Sequence, residues 1–271
     1  PIRSARLIDL TLVDMLDSAL VASGTSQGTL DRLWKQPWYA AVVTRANGFK
    51  CPPLCQEGVD ANTVFASAAA VWHALDERGQ NTKPAIQGLA FHSVIPDGGQ
   101  DGTKLRVDFS AEAHSEWRYN SSSKHYERWI DASATELEEH IDDYTGGQIV
   151  ADNLSVLFAN HIVDFTIPED FDADGIHATF ATEIQLWGSG PALLLRDGQA
   201  FACTWQRDDA SKMPTLMDND GKPLPLRPGK TWVYTTHIRA YMEQSGSDWI
   251  IGHRSPKDRG ELILPTTTNA P

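Results

Sequence analysis

Ala192-Leu-Leu-Leu-Arg-Asp-Gly-Gln-Ala-Phe-Ala-Cys-Thr-Trp-Gln206 places two apolar runs on either side of Asp197-Gly198. Asp-Gly between apolar runs is the dipeptide of a two-residue β-hairpin, because both turn positions need a positive φ. Residues 192–195 and 199–206 are therefore read as paired strands. Asp220-Gly221 repeats the signal, and Pro228-Gly229 adds a third turn. On either side of these turns, residues 153–158, 162–167, 177–187 and 231–236 are apolar or alternating runs of strand length. The second half of the chain reads as an antiparallel meander.

Before it, helices mix with strands. Residues 5–16 carry Leu7, Ile8, Leu10, Leu12, Val13 and Leu16, close to helical spacing. Residues 19–22 form a short apolar run, and Thr25 or Ser26 can cap a helix over 27–34. The stretch 47–60 has no periodicity and reads as a loop. Asn62 or Thr63 caps a further helix that reaches residues 75–77. Residues 89–94 and 104–109 read as strands, and 115–120 with 126–130 as a hairpin. Ser133-Ala-Thr-Glu136 has the form of a capping box for a short acidic helix ending near Asp142. The fold class is α+β: a mixed α/β first domain over 1–145, a β-rich antiparallel second domain over 146–240, and a C-terminal extension or linker over 241–271.

The chain has 271 residues, 41% of them hydrophobic and 22% charged, which suits a folded domain with a sizeable core. Thirty-six acidic residues against 23 basic ones leave a net charge of −13. That field repels phosphate backbones and argues against a nucleic-acid partner. No run of about 18 apolar residues marks a membrane span, so a membrane would be met only through an anchor outside this chain. Cys51-Pro-Pro-Leu-Cys55 is a Pro-stiffened loop able to close a disulfide in an oxidising compartment. Cys203 reads as a buried strand residue.

Five places invite chemistry. Arg3, Ser4 and Arg6, at a helix start, make a candidate anion pocket, although ion pairs to neighbouring carboxylates explain them more simply. His140 with Asp142 and Asp143 has the residue types of acid–base work, against a structural polar network. Asp143 with Asn153 is the first place to look for a ligand contact. Asp170, Asp172 and Asp174, followed by Gly175, have the oxygen spacing that opens a calcium loop. Position twelve is Ala181, so an ion-free turn is the simpler account, and calcium is the only cofactor considered. Ser189 in Gly188-Ser-Gly190 lacks the remainder of a nucleophile elbow and reads as a glycine-lined strand bend. Nine Trp are expected to be mostly core, at least five of them, with exposed rings free to stack on sugars.

Several phrases occur in a fixed order: Pro1-Ile-Arg-Ser-Ala-Arg6, Val21-Ala-Ser-Gly24, Tyr126-Glu-Arg128, His140-Ile-Asp-Asp-Tyr-Thr-Gly146 and Ala151-Asp-Asn153. Gly188-Ser-Gly-Pro-Ala192, Asp197-Gly198, Thr204-Trp205, Asp220-Gly-Lys222 and Pro228-Gly-Lys-Thr-Trp232 follow. As a set they resemble the YerB-like family of bacterial lipoproteins, described as two consecutive domains of unknown function. The resemblance runs from Pro1 to about Thr236. It implies a secreted or lipid-anchored envelope protein, and a family segment upstream of Pro1. The Cys51–Cys55 loop and the residues after Tyr241 have no counterpart in it. No chemistry comes with the family. The expected role is a non-enzymatic binding or assembly module for a wall polymer or an envelope protein, its own upstream segment or a larger surface assembly included. The alternative is a hydrolase or transferase acting on glycan or peptide through His140, Asp142 and Asp143.

Overall fold

A computed structural model describes residues 2–252 apart from 111–112, 134–135, 172–174 and 176–177. The described chain is predominantly β-sheet, and its α-helices all lie within the first 77 residues. It divides into two units. One contains the chain up to Gln87, with Ile162–Gln185 and Asp209–Met213; the other contains Gly88–His161, Leu186–Asp208 and the chain from Pro214 on.

In the first unit, helix α1 spans Leu7–Leu16 and buries Leu7, Val13 and Met15. Its first turn is closed by Asp9, whose carboxylate accepts from the Arg6 N–H at 2.7 Å. Asp17 ends it in the left-handed region, φ 45°. Helix α2, Gln27–Leu33, approaches the extended chain at Ile167 so closely that a Cβ on Gly28 would lie 2.7 Å from Ile167 Cγ1. Only glycine fits that contact. Helix α3, Ala68–Glu77, is capped by Ser67 Oγ, which accepts from the Ala70 N–H at 3.2 Å. It starts later than the sequence suggests, because Val64–Phe65 is taken by a short antiparallel pair with Cys55–Gln56. Val43, Phe49, Leu54, Val64, Val71 and Leu75 form the core beneath α3.

The second unit is built from two sheets. Strands β1 Lys104–Asp108, β2 His114–Asn120, β3 His125–Asp131, β4 Leu137–Glu139 and β5 Val150–Ala151 come first. They are followed by β6 Asn153–Phe171, β7 Ala178–Gln185, β8 Gly188–Arg196, β9 Gln199–Arg207 and β10 Thr215–Met217. Last come β11 Thr231–His237, β12 Tyr241–Ser245 and β13 Asp248–Gly252. One sheet has the order β5-β3-β2-β1-β13-β12, with β4 also on β3. The other runs β7-β6-β8-β9-β10, with β11 parallel to β6. The second half of β6 and all of β7 belong to the first unit. Alternation explains the packing: Leu105, Val107, Trp117, Trp249 and Ile251 from the first sheet meet Leu154, Val156, Phe158, Leu193 and Leu195 from the second in one buried core. Tyr234 Oη links the sheets, 2.8 Å from Ser115 Oγ and accepting from Trp117 Nε1 at 2.7 Å.

The hairpin at Asp197-Gly198 is present, with φ of 53° and 75° at the turn residues. The β2–β3 hairpin is also as read. Other expectations change. The acidic helix ending near Asp142 is instead strand β4, registered Ile130↔Glu138 on β3. Pairing with β3 satisfies its backbone without stacking acids against a helix dipole. Residues 153–158 and 162–167 are one continuous strand. Residues 89–94 supply only a single bridge, Phe91 to Leu226. Residues 241–252, read as the start of an extension, form a hairpin whose second strand lies parallel to β1. The expected domain limit at 145/146 falls between β4 and β5, which both pair with β3. Three of the nine Trp are buried, Trp117, Trp205 and Trp249; Trp34, Trp72 and Trp187 are exposed. Their strands and helices are amphipathic rather than enclosed on both faces.

Candidate functional site

Phrases separated by a hundred residues come together at one place in the second unit. The inner layer is Asp152 and Asn153 at the start of β6. Asn153 is fully buried, and its amide is committed: Nδ2 donates to Arg227 O at 2.8 Å and Thr231 Oγ1 at 3.0 Å, while Oδ1 accepts from the Arg227 N–H at 2.7 Å. Asp152 Oδ2 accepts from the Lys230 N–H at 2.7 Å. A Cβ on Gly229, where φ is 145°, would lie 2.1 Å from that oxygen. The Arg-Pro-Gly-Lys-Thr loop is thus wrapped onto two adjacent side chains, and its glycine is required by contact.

Charges close this layer. Arg227 Nη1 lies 3.7 Å from Asp152 Oδ1 and 3.5 Å from Asp197 Oδ1. His125 Nδ1 stands 3.1 Å from Asp152 Oδ1. Arg196 is fully buried; Nε bonds Asp197 Oδ2 at 2.8 Å, and Nη1 donates to the carbonyls of His92 and Pro225 at 3.0 Å each. Two guanidiniums and two carboxylates alternate, so neither sign is buried alone.

The outer layer holds Arg128, His140 and the turn that follows. Arg128, on β3, lays its guanidinium 4.4 Å from the Trp232 ring centroid and 5.9 Å from that of Trp117. Its Nε donates to Ser115 Oγ at 3.3 Å, and Nη1 meets His140 Nδ1. The His140 N–H donates to Arg128 O at 3.0 Å, and His140 O accepts from the Ile149 N–H at 2.8 Å. Burial, with Arg128 beside it, holds the imidazole below the usual His range.

Beyond His140 the chain folds on itself. Ile141 bridges Gln148, Asp142 N donates to Gly147 O at 2.9 Å, and Gly146 N returns to Asp142 O at 2.8 Å. Asp142 Oδ1 accepts from Thr145 N at 2.7 Å and Thr145 Oγ1 at 2.8 Å, an Asx turn that keeps the carboxyl below its ordinary range. This turn presents Tyr144 at 97% exposure, beside an exposed Asp143.

Residues 105–233 match the family described as "Protein of unknown function (DUF3048) C-terminal domain". Over 244 residues the chain is 25% identical to the Bacillus subtilis (strain 168) protein named "Putative lipoprotein YerB", covering 86% of this chain and 65% of that one. Its fold is similar to the crystal structure of YerB from Bacillus subtilis, with a TM-score of 0.66 at 23% identity, over 87% of this chain and 73% of that one. The chain is YerB-like. It spans about two thirds of that relative's length. The matched family segment runs from Leu105 in β1 to Val233 in β11, and so contains Arg128, His140, Asp152, Asn153, Arg196, Arg227 and Trp232 of the two layers described above.

Elsewhere in the YerB-like chain the sequence-derived candidates have internal partners. Arg6 Nη1 pairs with Glu169 Oε2 at 3.0 Å, and Arg3 donates to Asn62 Oδ1. Ser4 is exposed. A carboxylate therefore stands where the anion pocket was expected, and the guanidinium of Arg6 closes a contact between α1 and β6. Asp142 and His140 are not bonded to each other: Thr145 takes one and Arg128 the other. Asn153 faces the 227–231 loop rather than Asp143. Asp170 Oδ1 accepts from the Phe171 N–H, while Asp172 and Asp174 lie outside the described residues. Among the described residues no group of three His, Cys, Asp or Glu could hold a metal. Cys51 and Cys55 are joined by a disulfide. Burial pushes the Cys203 thiol up to about 12. Gly190 is a close-approach glycine, since a Cβ there would lie 2.6 Å from Phe158 O.

The sequence reading leaves Trp232 and Tyr144 out of the site and takes Arg128 or Lys124 only as a partner for the acids beside His140, although Arg128, Trp232 and Tyr144 all sit in the quoted phrases. It also passed over His114, whose Nδ1 lies 2.9 Å from Asp131 Oδ1 and whose Nε2 lies 3.9 Å from Asp108 Oδ1. The alternation of β2 and β3 would have put Ser115, Trp117 and Arg128 on a common face, had their register been known.

Proposed function

We propose that this chain is the extracytoplasmic part of a lipid-anchored envelope protein, an α+β protein whose second unit binds a wall polymer without transforming it. The observation that supports this reading is the 141–148 turn. An aromatic ring held almost wholly in solvent on a turn ordered by its own hydrogen bonds costs little entropy to bind with. Tyr144 supplies a stacking face and Asp143 supplies acceptors for hydroxyls, the combination a sugar chain needs. The name of the Bacillus subtilis relative supports the anchored, extracytoplasmic part.

The test is co-sedimentation with purified Bacillus subtilis wall sacculi. The unaltered chain pellets with them, and Tyr144→Ala weakens binding about tenfold, the scale of one anchor residue. Retention of the unaltered chain in the supernatant sinks the reading. Release of soluble glycan or peptide fragments would replace it with the hydrolase alternative.

A further inference from the structure

Arg128 is set apart from the arginines around it. In the second unit Arg106, Arg118, Arg196 and Arg227 each contact a carboxylate. Arg128 contacts none among the described residues, in a chain with 36 acids. A guanidinium has five N–H donors. One is given to Ser115 Oγ and one meets His140 Nδ1, which leaves three with no acceptor among the described residues. The side chain is nevertheless held in place, by the Trp232 ring and by those two bonds. It is partly exposed, so the free edge is reachable.

His140 adds to it. Because Nδ1 faces an Arg128 N–H, that nitrogen accepts, and the ring proton belongs on Nε2. The pair therefore offers outward-facing donors and no acceptor. Two acids lie nearby: Asp142 is bent onto Thr145, with Lys230 offsetting its charge, and Asp143 is exposed to solvent. A fixed, planar, unpaired guanidinium beside a neutral imidazole donor is a seat for an oxyanion, which it can grip through two parallel bonds.

We infer that Arg128, His140 and Trp232 form the seat for an acidic group, a carboxylate or a phosphate, carried by the polymer that the 141–148 turn binds. The inference rests on the wall-polymer reading and names its charged contact. Tyr144 follows His140 by four residues across the turn, so its ring and the seat's His140 lie on one short stretch of chain, at most about 13 Å apart by the reach of an extended backbone. Ring and seat can therefore engage neighbouring units of one chain.

The experiment is NMR titration of the full chain with two probes: muramyl dipeptide, which carries carboxylates, and glycerol 1-phosphate. The expected result is saturable shifts of the Arg128 Nε–H and Trp232 indole N–H resonances by one probe. That probe identifies the source of the oxyanion. Arg128→Gln should weaken its binding about ten- to a hundredfold, the range for hydrogen bonds to a charged group. Arg128→Lys, which keeps the charge and loses the fork, should fall between, and it guards against a fold defect in the glutamine variant. Failure of both probes to shift these resonances overturns the seat, as does unchanged affinity in both variants. If sacculi still bind through Tyr144 in that case, the polymer reading survives alone. If a probe binds while sacculi do not, the seat stands and the polymer reading falls.

Discussion

His140 is a residue whose chemistry is set by its neighbours rather than by its type. Burial and the Arg128 guanidinium favour its neutral form, and Asp142 and Asp143 only partly oppose them. Its folded pKa lies below the unfolded value. Between the two, the unfolded chain binds a proton that the native chain refuses, so stability rises with pH through that window. Protonation would also set an N–H of Nδ1 against the N–H of Arg128. We predict that urea midpoints of the unaltered chain fall as pH drops below about 6.5, and that His140→Gln shows a weaker fall. Identical pH profiles for the two would mean that His140 does not contact Arg128 in solution. The residue types here were visible in the sequence, but not the partner: His140 was grouped with the acids next to it in the chain, while the fold hands it to β3.

Elements were legible where the signal is local. Asp197-Gly198 fixes a hairpin by its own backbone preferences, and the β2–β3 alternation is read within a few residues, whereas the α3 cap, expected at Asn62 or Thr63, is Ser67. The 241–252 hairpin was not legible for a different reason. Trp249 and Ile251 alternate, and Gly246 at φ 61° supplies the turn, but β13 finds its place beside β1, more than a hundred residues away. No short-range pattern encodes that parallel pairing. Its weight can be estimated. Trp249 and Ile251 are nearly or wholly buried, and at about 1.5–3 kcal/mol per large apolar side chain they contribute roughly 3–6 kcal/mol. That is a large share of a typical domain's 5–15 kcal/mol. Ending the chain at Ala240 would also bare Leu105 and Val107 on a new sheet edge. The shortened chain should lose its near-UV circular dichroism and sediment as aggregate. A sharp urea transition at the original midpoint would show that the hairpin is dispensable.

At the scale of the whole molecule, the order of the chain and the grouping of its atoms differ. The first unit takes Ile162–Gln185 and Asp209–Met213 out of the middle of the second, and β6 runs through both. A division near residue 145 suits the sequence, because helices precede it and strand patterns follow. It does not suit the hydrogen bonds, since β4 and β5 on either side of it share β3. A fragment of residues 146–240 would carry β6, β8, β9 and β11 with Leu154, Val156, Leu193 and Leu195 facing no partner sheet. It would keep Asn153 and Asp152 with their loop, yet lose Arg128, His125 and His140. We predict that this fragment shows no cooperative thermal transition and binds neither muramyl dipeptide nor glycerol 1-phosphate. Residues 1–145 and 146–252, supplied as separate chains, should restore both properties, because together they return every missing strand, β12 and β13 included, and the whole donor edge. A fragment that melts cooperatively alone would make the second sheet an independent domain. The core drawn from both sheets, with Tyr234 bonded across it, argues that it is not.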